Sequence, residues 1–291
     1  YLEQNATMRA AGNHTQDTLL ILHDGAHCDQ ISYFESQVVM TNGKIVVEKE
    51  ARMKWRADLV LKKLVMQGLP CNDPEGNFIT EKNHVVAYYS DIKEIFWNST
   101  SLSVELFNVS STGSQDWNVS HGQWYWQSGQ IQGHGIFFFD MLGEAVFGNV
   151  VMTGEGSAFG LQHHGSTALI FNEGQISDYY HGIIKGQGKL GLRCSALSQL
   201  TTAVQLHDQA LLMINEGFGR NQWVENDIHL SFQQALSPMI QGGGNYFSES
   251  ESNPSVEGAI QSTVGEMNWS GNEWENESFI NECVMYNANN E

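Results

Sequence analysis

Cations are scarce in this chain: 14 Lys and Arg stand against 33 Asp and Glu in 291 residues, a formal net charge of −19. So acidic a surface repels polyanions, so nucleic acid and anionic membranes are excluded as partners. Long apolar runs are missing too. No stretch approaches the ~18 apolar residues that cross a bilayer as a helix, so no membrane span is expected. No Cys-x-x-Cys pair occurs, and zinc-ribbon or thioredoxin-like chemistry has no support. The sequence opens on Tyr1 and carries no signal segment, as expected of a chain whose leader has been removed.

What is present is a core and an uncharged polar surface. Apolar residues make up 41% and charged residues only 16%, which is unlike a disordered acidic chain. Seven Asn-x-Ser/Thr sequons occur, at Asn5, Asn13, Asn98, Asn108, Asn118, Asn268 and Asn276. Chance at this composition gives about three. The excess points to an N-glycosylated, secreted, extracellular chain whose sequons lie on exposed stretches. In that compartment the four cysteines, Cys28, Cys71, Cys194 and Cys283, are expected to form two disulfides. Three connectivities are open.

Turn chemistry and alternation predict a mainly β, β-rich α+β fold with an antiparallel sandwich or barrel-like core. Asn42-Gly43 lies between two apolar runs, and Asn172-Glu173-Gly174 separates two more; both read as hairpin turns that need positive φ. Residues 51–62 alternate apolar and polar, as a strand with one wet face does. Leu102, Val104 and Leu106 alternate likewise, and Trp124 and Trp126 share a face of any strand they occupy. After Cys194 the spacing of Leu197, Leu200, Val204, Leu211 and Ile214 predicts one helix, and Trp223, Ile228, Phe232, Ala235 and Leu236 a second, near 196–240. The expected organisation is a polar segment 1–16, a core domain 17–240 and an acidic Ser/Asn/Glu-rich segment 241–291. No internal repeat of solenoid or propeller period is evident.

Candidate chemistry is thin. His23, Asp24, His27 and Asp29 follow the apolar run Leu19–Leu22 and offer imidazoles and carboxylates to a metal, although Gly25 favours an ordinary polar turn. The same opening resembles the strand and oxyanion loop of α/β-hydrolases, a resemblance that implies a Gly-x-Ser-x-Gly elbow. Gly154-Glu155-Gly156-Ser157-Ala158-Phe159-Gly160 has the wrong spacing around Ser157, and βαβ alternation is missing, so that family is rejected. His163, His164 and His181 resemble a cupin metal set loosely, but no carboxylate follows between Ser166 and Phe171. Trp117, Trp124 and Trp126 are candidates for a sugar-stacking platform.

The charge map carries the leading functional expectation. Seven of the 14 cations lie between Lys44 and Lys63, whereas the stretch from Asn221 to Glu291 holds 11 acidic residues and no basic one. That asymmetry suits head-to-tail contacts between copies. The expectation is a structural glycoprotein subunit of an extracellular filament, sheath or coat, self-associating as a homopolymer, without a cofactor. A secreted β-barrel or sandwich binding carbohydrate or a small apolar ligand is the alternative, and a metal-dependent secreted enzyme comes third.

Overall fold

A computed structural model describes residues 83–212 without a break, together with 38–47, 52–55, 58–68, 77–81, 218–219, 221–233, 245–248 and short strands nearer both ends. Every strand pairing in it is parallel, and no helix occurs among the described residues. The chain winds as a β-solenoid. Each coil contributes one strand segment to each of three stacked sheets, named here faces A, B and C.

Face A stacks 59–62, His84–Tyr88, 103–107, 123–127, 145–148, Leu169–Asn172 and 190–193. Face B stacks 64–68, Asp91–Lys93, 110–112, 129–132, 151–153, Gln175–Ser177, Ala196–Ser198 and Gln222–Val224. Face C stacks Asn77–Thr80, Phe96–Ser99, Trp117–Ser120, Ile136–Phe139, Phe159–His163, 181–185, 202–207 and Ile228–Gln233.

This overturns the antiparallel sandwich or barrel, and the reason is local. A positive-φ residue between two β segments can reverse a chain or turn it through a corner. Here it makes corners. Lys63, Tyr89, Asn108, Ser128, Asn149, Glu173 and Cys194 form one register column between faces A and B, with φ from 49° to 62°. Glu173 is the middle of the Asn172-Glu173-Gly174 turn, and Asn42 sits opposite Lys63 in the same column. Neither motif closes a hairpin. In the second motif the left-handed residue is Glu173, not Gly174, whose missing Cβ instead leaves room for the Val150 carbonyl of the neighbouring coil. A second column turns face B into face C, with Glu94, Gly133, Asp178, Gln199 and Glu225 at positive φ.

The expected helices are also overturned. Thr202–Leu212 and Ile228–Gln233 are strands. Alternation in a strand has period two, but each corner slips its phase. Leu197 lies on face B, Leu200 at the corner beyond Gln199, and Val204 on face C; all three are buried. Their spacing imitates a helical stripe only because the chain changes face between them. The same slips hide the repeat. Coil length runs from 19 residues, Val85 to Val104, to 30, Leu230 to Ile260, so no fixed period shows.

The core is a set of inward columns. On face C it runs Phe78, Trp97, Trp117, Ile136, Leu161, Ile183, Val204 and Leu230; on face A it runs Leu61, Ala87, Leu106, Trp126, Phe147, Phe171 and Leu192. Aromatic rings of adjacent coils pack together: Trp97 and Trp117 lie 4.9 Å apart, Trp117 and Trp126 5.9 Å, and Trp126 and Phe147 6.3 Å between centroids. Each such ring hides ~150–250 Å², worth about 4–6 kcal/mol at ~25 cal/mol per Å² before conformational entropy is charged. Gly129 lets two coils close: at φ 137° its missing Cβ would strike the Val109 carbonyl.

Candidate functional site

Strand alternation decides which side chains reach solvent. The outward column at the C-side of face B reads Thr112, Gln132, Thr153, Ser177 and Ser198. Its neighbour reads Ser110, Gln130, Val151, Gln175 and Ala196. No charge stands in either over these five coils, although the coil before them continues the columns with Lys93 and Asp91, and each step along the axis is about 4.8 Å. The result is a strip mainly of hydroxyls and amides, groups that both donate and accept hydrogen bonds, presented at a constant repeat and interrupted in the second column by Val151 and Ala196.

The strip opens at the corner between faces B and C into a groove of about 480 Å³. Thr153, Glu155, Asp178, Tyr180, Gln199 and Thr201 line it. Glu155, Asp178 and Gln199 are exposed, and the Tyr180 ring is 57% exposed. The corner geometry places them, because Glu155, Asp178 and Gln199 all adopt positive φ where the chain leaves face B. Neighbouring amides and hydroxyls hold the carboxylates: Gln132 Nε2 donates to Glu155 at 2.5 Å, and the Ser177 hydroxyl donates to Asp178 at 3.0 Å. Tyr179 forms the buried floor; its hydroxyl donates to the His134 carbonyl at 2.8 Å, and burial raises its pKa. Carboxylates, amides, hydroxyls and one exposed ring are the set that grips a polyhydroxyl ligand: the polar groups take the hydroxyls and the ring takes an apolar C–H face.

A second set of polar groups is shut inside the coils. His134 is buried; its Nδ1–H donates to the Gly135 carbonyl at 3.2 Å, and Nε2 accepts from Ser111 at 2.7 Å. Burial lowers its pKa to about 4. Lys185 is fully buried, and its ammonium donates to His163 Nδ1 at 3.1 Å, to the Gly165 carbonyl at 2.7 Å and to the Gln187 carbonyl. Burial lowers Lys185 to about 7, and burial together with that ammonium lowers His163 to about 3. His229 donates through Nε2 to the Ser248 carbonyl and accepts at Nδ1 from Asn226; burial lowers it to about 4. Asp116 accepts from the Gly135 N–H at 2.7 Å, and burial raises its pKa. His134, His163, Lys185 and His229 are buried and satisfy corner carbonyls and amides, whereas Asp116 is half-buried.

The residues singled out in the sequence fare differently. Trp117, Trp124 and Trp126 are at most 1% exposed and belong to the core, so they form no surface platform. Tyr125, between two of them, points outward and is 36% exposed on face A. Tyr88 and Phe107 stack on each other at 5.2 Å and 12°, with Tyr125 5.7 Å from Phe107. His163 and His164 point to opposite sides, the first buried, the second exposed beside Phe137. Cys194 is exposed and its thiol is unpaired. Cys28, Cys71 and Cys283 lie outside the described residues, as do His23, Asp24, His27 and Asp29 and the sequons at Asn5, Asn268 and Asn276; Asn13 is described in its backbone alone. Among the described residues no group of three or more His, Cys, Asp or Glu is placed to hold a metal ion. Asn108 is exposed at a corner, while Asn98 and Asn118 are half-buried on face C. Sequence reasoning missed the groove because its residues lie 21 to 25 positions apart in pairs, Thr153 to Asp178 and Asp178 to Gln199, and only the register joins them.

No family model, no curated protein and no solved structure matches this chain.

Proposed function

We propose that this chain is a secreted, rod-like binding protein whose face B holds an extended neutral polysaccharide, with the groove at Glu155, Asp178 and Tyr180 as its strongest subsite. The observation that supports this reading is the column Thr112, Gln132, Thr153, Ser177 and Ser198, uncharged hydroxyls and amides over five successive coils, which runs beside that groove. Its groups repeat at a constant step, which suits a repeating ligand. It lacks the apolar anchors on which protein partners concentrate their binding energy, and the net charge of −19 opposes polyanions. Native gels cast with neutral soluble glucans or mannans test it. Migration is expected to slow in at least one polymer. Tyr180→Ala is expected to weaken that binding about tenfold, the loss of roughly 1.4 kcal/mol of ring contact, and Thr153→Glu with Ser177→Glu to abolish it. Equal migration in every polymer gel removes the reading.

A second reading, the structural self-assembling rod, draws on one feature of the fold. In a solenoid, order along the chain becomes order along the axis. The exposed Lys44, Lys62 and Lys63 therefore sit in early coils, while the later described coils carry Glu225 and Asp227 and no cation after Arg220. Opposite charge at the two ends of a rod favours head-to-tail contact. Under this reading, Lys44→Gln, Lys62→Gln and Lys63→Gln together lower the sedimentation coefficient of the native protein at low salt. An unchanged profile, or a wild-type monomer, eliminates it.

A further inference from the structure

Asn98 and Asn118 are twenty residues apart in sequence yet are direct register partners on face C. Their neighbours Trp97, Ser99, Trp117 and Val119 are buried, so both Asn side chains leave the sheet outward. Parallel partners in register stand about 4.8 Å apart. The first sugar of an N-glycan, with its acetamido group, is wider than that step. Splaying is restricted, because the same column continues with Ile79 below Asn98 and Phe137 above Asn118. Phe137 is itself held, 5.5 Å from Phe139 and 5.4 Å from His164 between ring centroids.

The sequon hydroxyls are also committed once the coils close. Thr100 donates to the Thr80 carbonyl at 3.3 Å, and Ser120 is 1% exposed with its Oγ 2.8 Å from His121 Nδ1. Modification of either site therefore has to precede folding of its coil. In the transfer, Nδ2 of Asn forms a bond to the anomeric carbon of the first sugar. That carbon's bond to the pyrophosphate of a lipid-linked oligosaccharide breaks, the amide loses one proton, and the lipid pyrophosphate leaves. Asn108 escapes both constraints: it is exposed, sits at a left-handed corner, and faces Tyr89 and Ser128 in its column, neither of them a sequon.

We infer that Asn98 and Asn118 are alternative glycan sites, of which a folded chain carries one and not both, whereas Asn108 is modified independently of either. This rests on the secreted-glycoprotein reading. The sequence supplies a direct assay: no Lys or Arg lies between Lys93 and Lys185, so one tryptic peptide, 94–185, contains all three sites. The full chain is passed through a eukaryotic secretory pathway, and that peptide is weighed from the secreted monomer and from the retained, aggregated fraction. Secreted peptide is expected with two glycans at most, one of them at Asn108. Three glycans are expected only in retained chains. Asn98→Gln is expected to raise occupancy of Asn118 at least twofold, and Asn118→Gln to do the same for Asn98. Secreted monomer bearing glycans at both strand sites overturns the inference, and so does secreted monomer modified at Asn108 but at neither. Absence of glycan from Asn108 as well marks failure of the glycoprotein reading itself, and the inference falls with it.

Discussion

Acidification from pH 6.5 to about 4 is expected to cost this solenoid most of its stability, through three histidines that no ligand touches. His134, His163 and His229 are held at about 4, 3 and 4 against an ordinary value of 6.5. Burial is the main cause, and the partners explain why relaxation does not rescue the charged form. The free nitrogen of His229 faces an Asn226 N–H, and that of His163 faces the Lys185 ammonium. A second proton on either ring sets donor against donor. Because the folded pKa is below the unfolded one, the unfolded chain takes up protons first as pH falls, and stability drops. The contribution is complete above about pH 6.5 and shrinks steadily below it. At ~1.4 kcal/mol per unit, each histidine costs about 3 kcal/mol by pH 4, and together they approach the ~5–15 kcal/mol that stabilises a typical domain.

Lys185 has the same sign on the alkaline side. Held at about 7 against 10.5, it binds a proton less readily folded than unfolded, so stability continues to rise from pH 7 toward 10.5. Surface carboxylates act oppositely in acid, since their protonation relieves the repulsion of a chain at −19; that component fades in high salt, and the buried one does not. Urea midpoints between pH 7 and 4.5 in 0.5 M salt are expected to fall steeply for the wild type. With His134→Gln and His229→Gln, neither able to titrate, the slope is expected to shrink by about two thirds. A flat wild-type profile contradicts the assignment.

Trp117→Ala is expected to cost about 3–5 kcal/mol, the usual range for emptying a large aromatic site, and to change how the molecule unfolds. The ring is 1% exposed and lies within 4.9–6.4 Å of Trp97, Trp124, Trp126 and His134. Its indole N–H donates to the Ile95 carbonyl at 3.1 Å, closing the corner one coil below. Three coils therefore meet around one side chain. A solenoid is stabilised by nearest-neighbour interfaces along one dimension, so a weak coil divides it. Hydrogen exchange is expected to show protection lost first in 96–120 and to split into two cooperative blocks on either side, where the wild type unfolds them together. Trp117→Phe keeps most of the packing and is expected to cost about half as much. A loss under 1 kcal/mol for Trp117→Ala, or uniform exchange across the coils, refutes the central place given to this ring.

The sequence by itself determined that the chain is β-structured and where it turns. Alternation at Leu59 and Leu61, at Val104 and Leu106, and at Trp124 and Trp126 placed these side chains together on one side of their strands, and the structure buries all six, whereas Leu102, read with Val104 and Leu106, is 57% exposed just before its strand. The Asn-Gly and Asn-Glu-Gly motifs marked positions that need left-handed backbone, and both sit in the corner column. Direction was not legible. A residue at positive φ serves a hairpin and a corner equally well, and what separates them is whether the next strand finds a partner beside it or one coil away. That partner lies 19 to 30 residues distant, and variable loops absorb the difference. Phase slips at the corners turned strand residues such as Leu197, Leu200 and Val204 into an apparent helical stripe. Tertiary structure alone decided which polar residues share a surface. Thr153, Asp178 and Gln199 meet because parallel register sums every coil length between them, and a single chain read end to end carries no record of that sum.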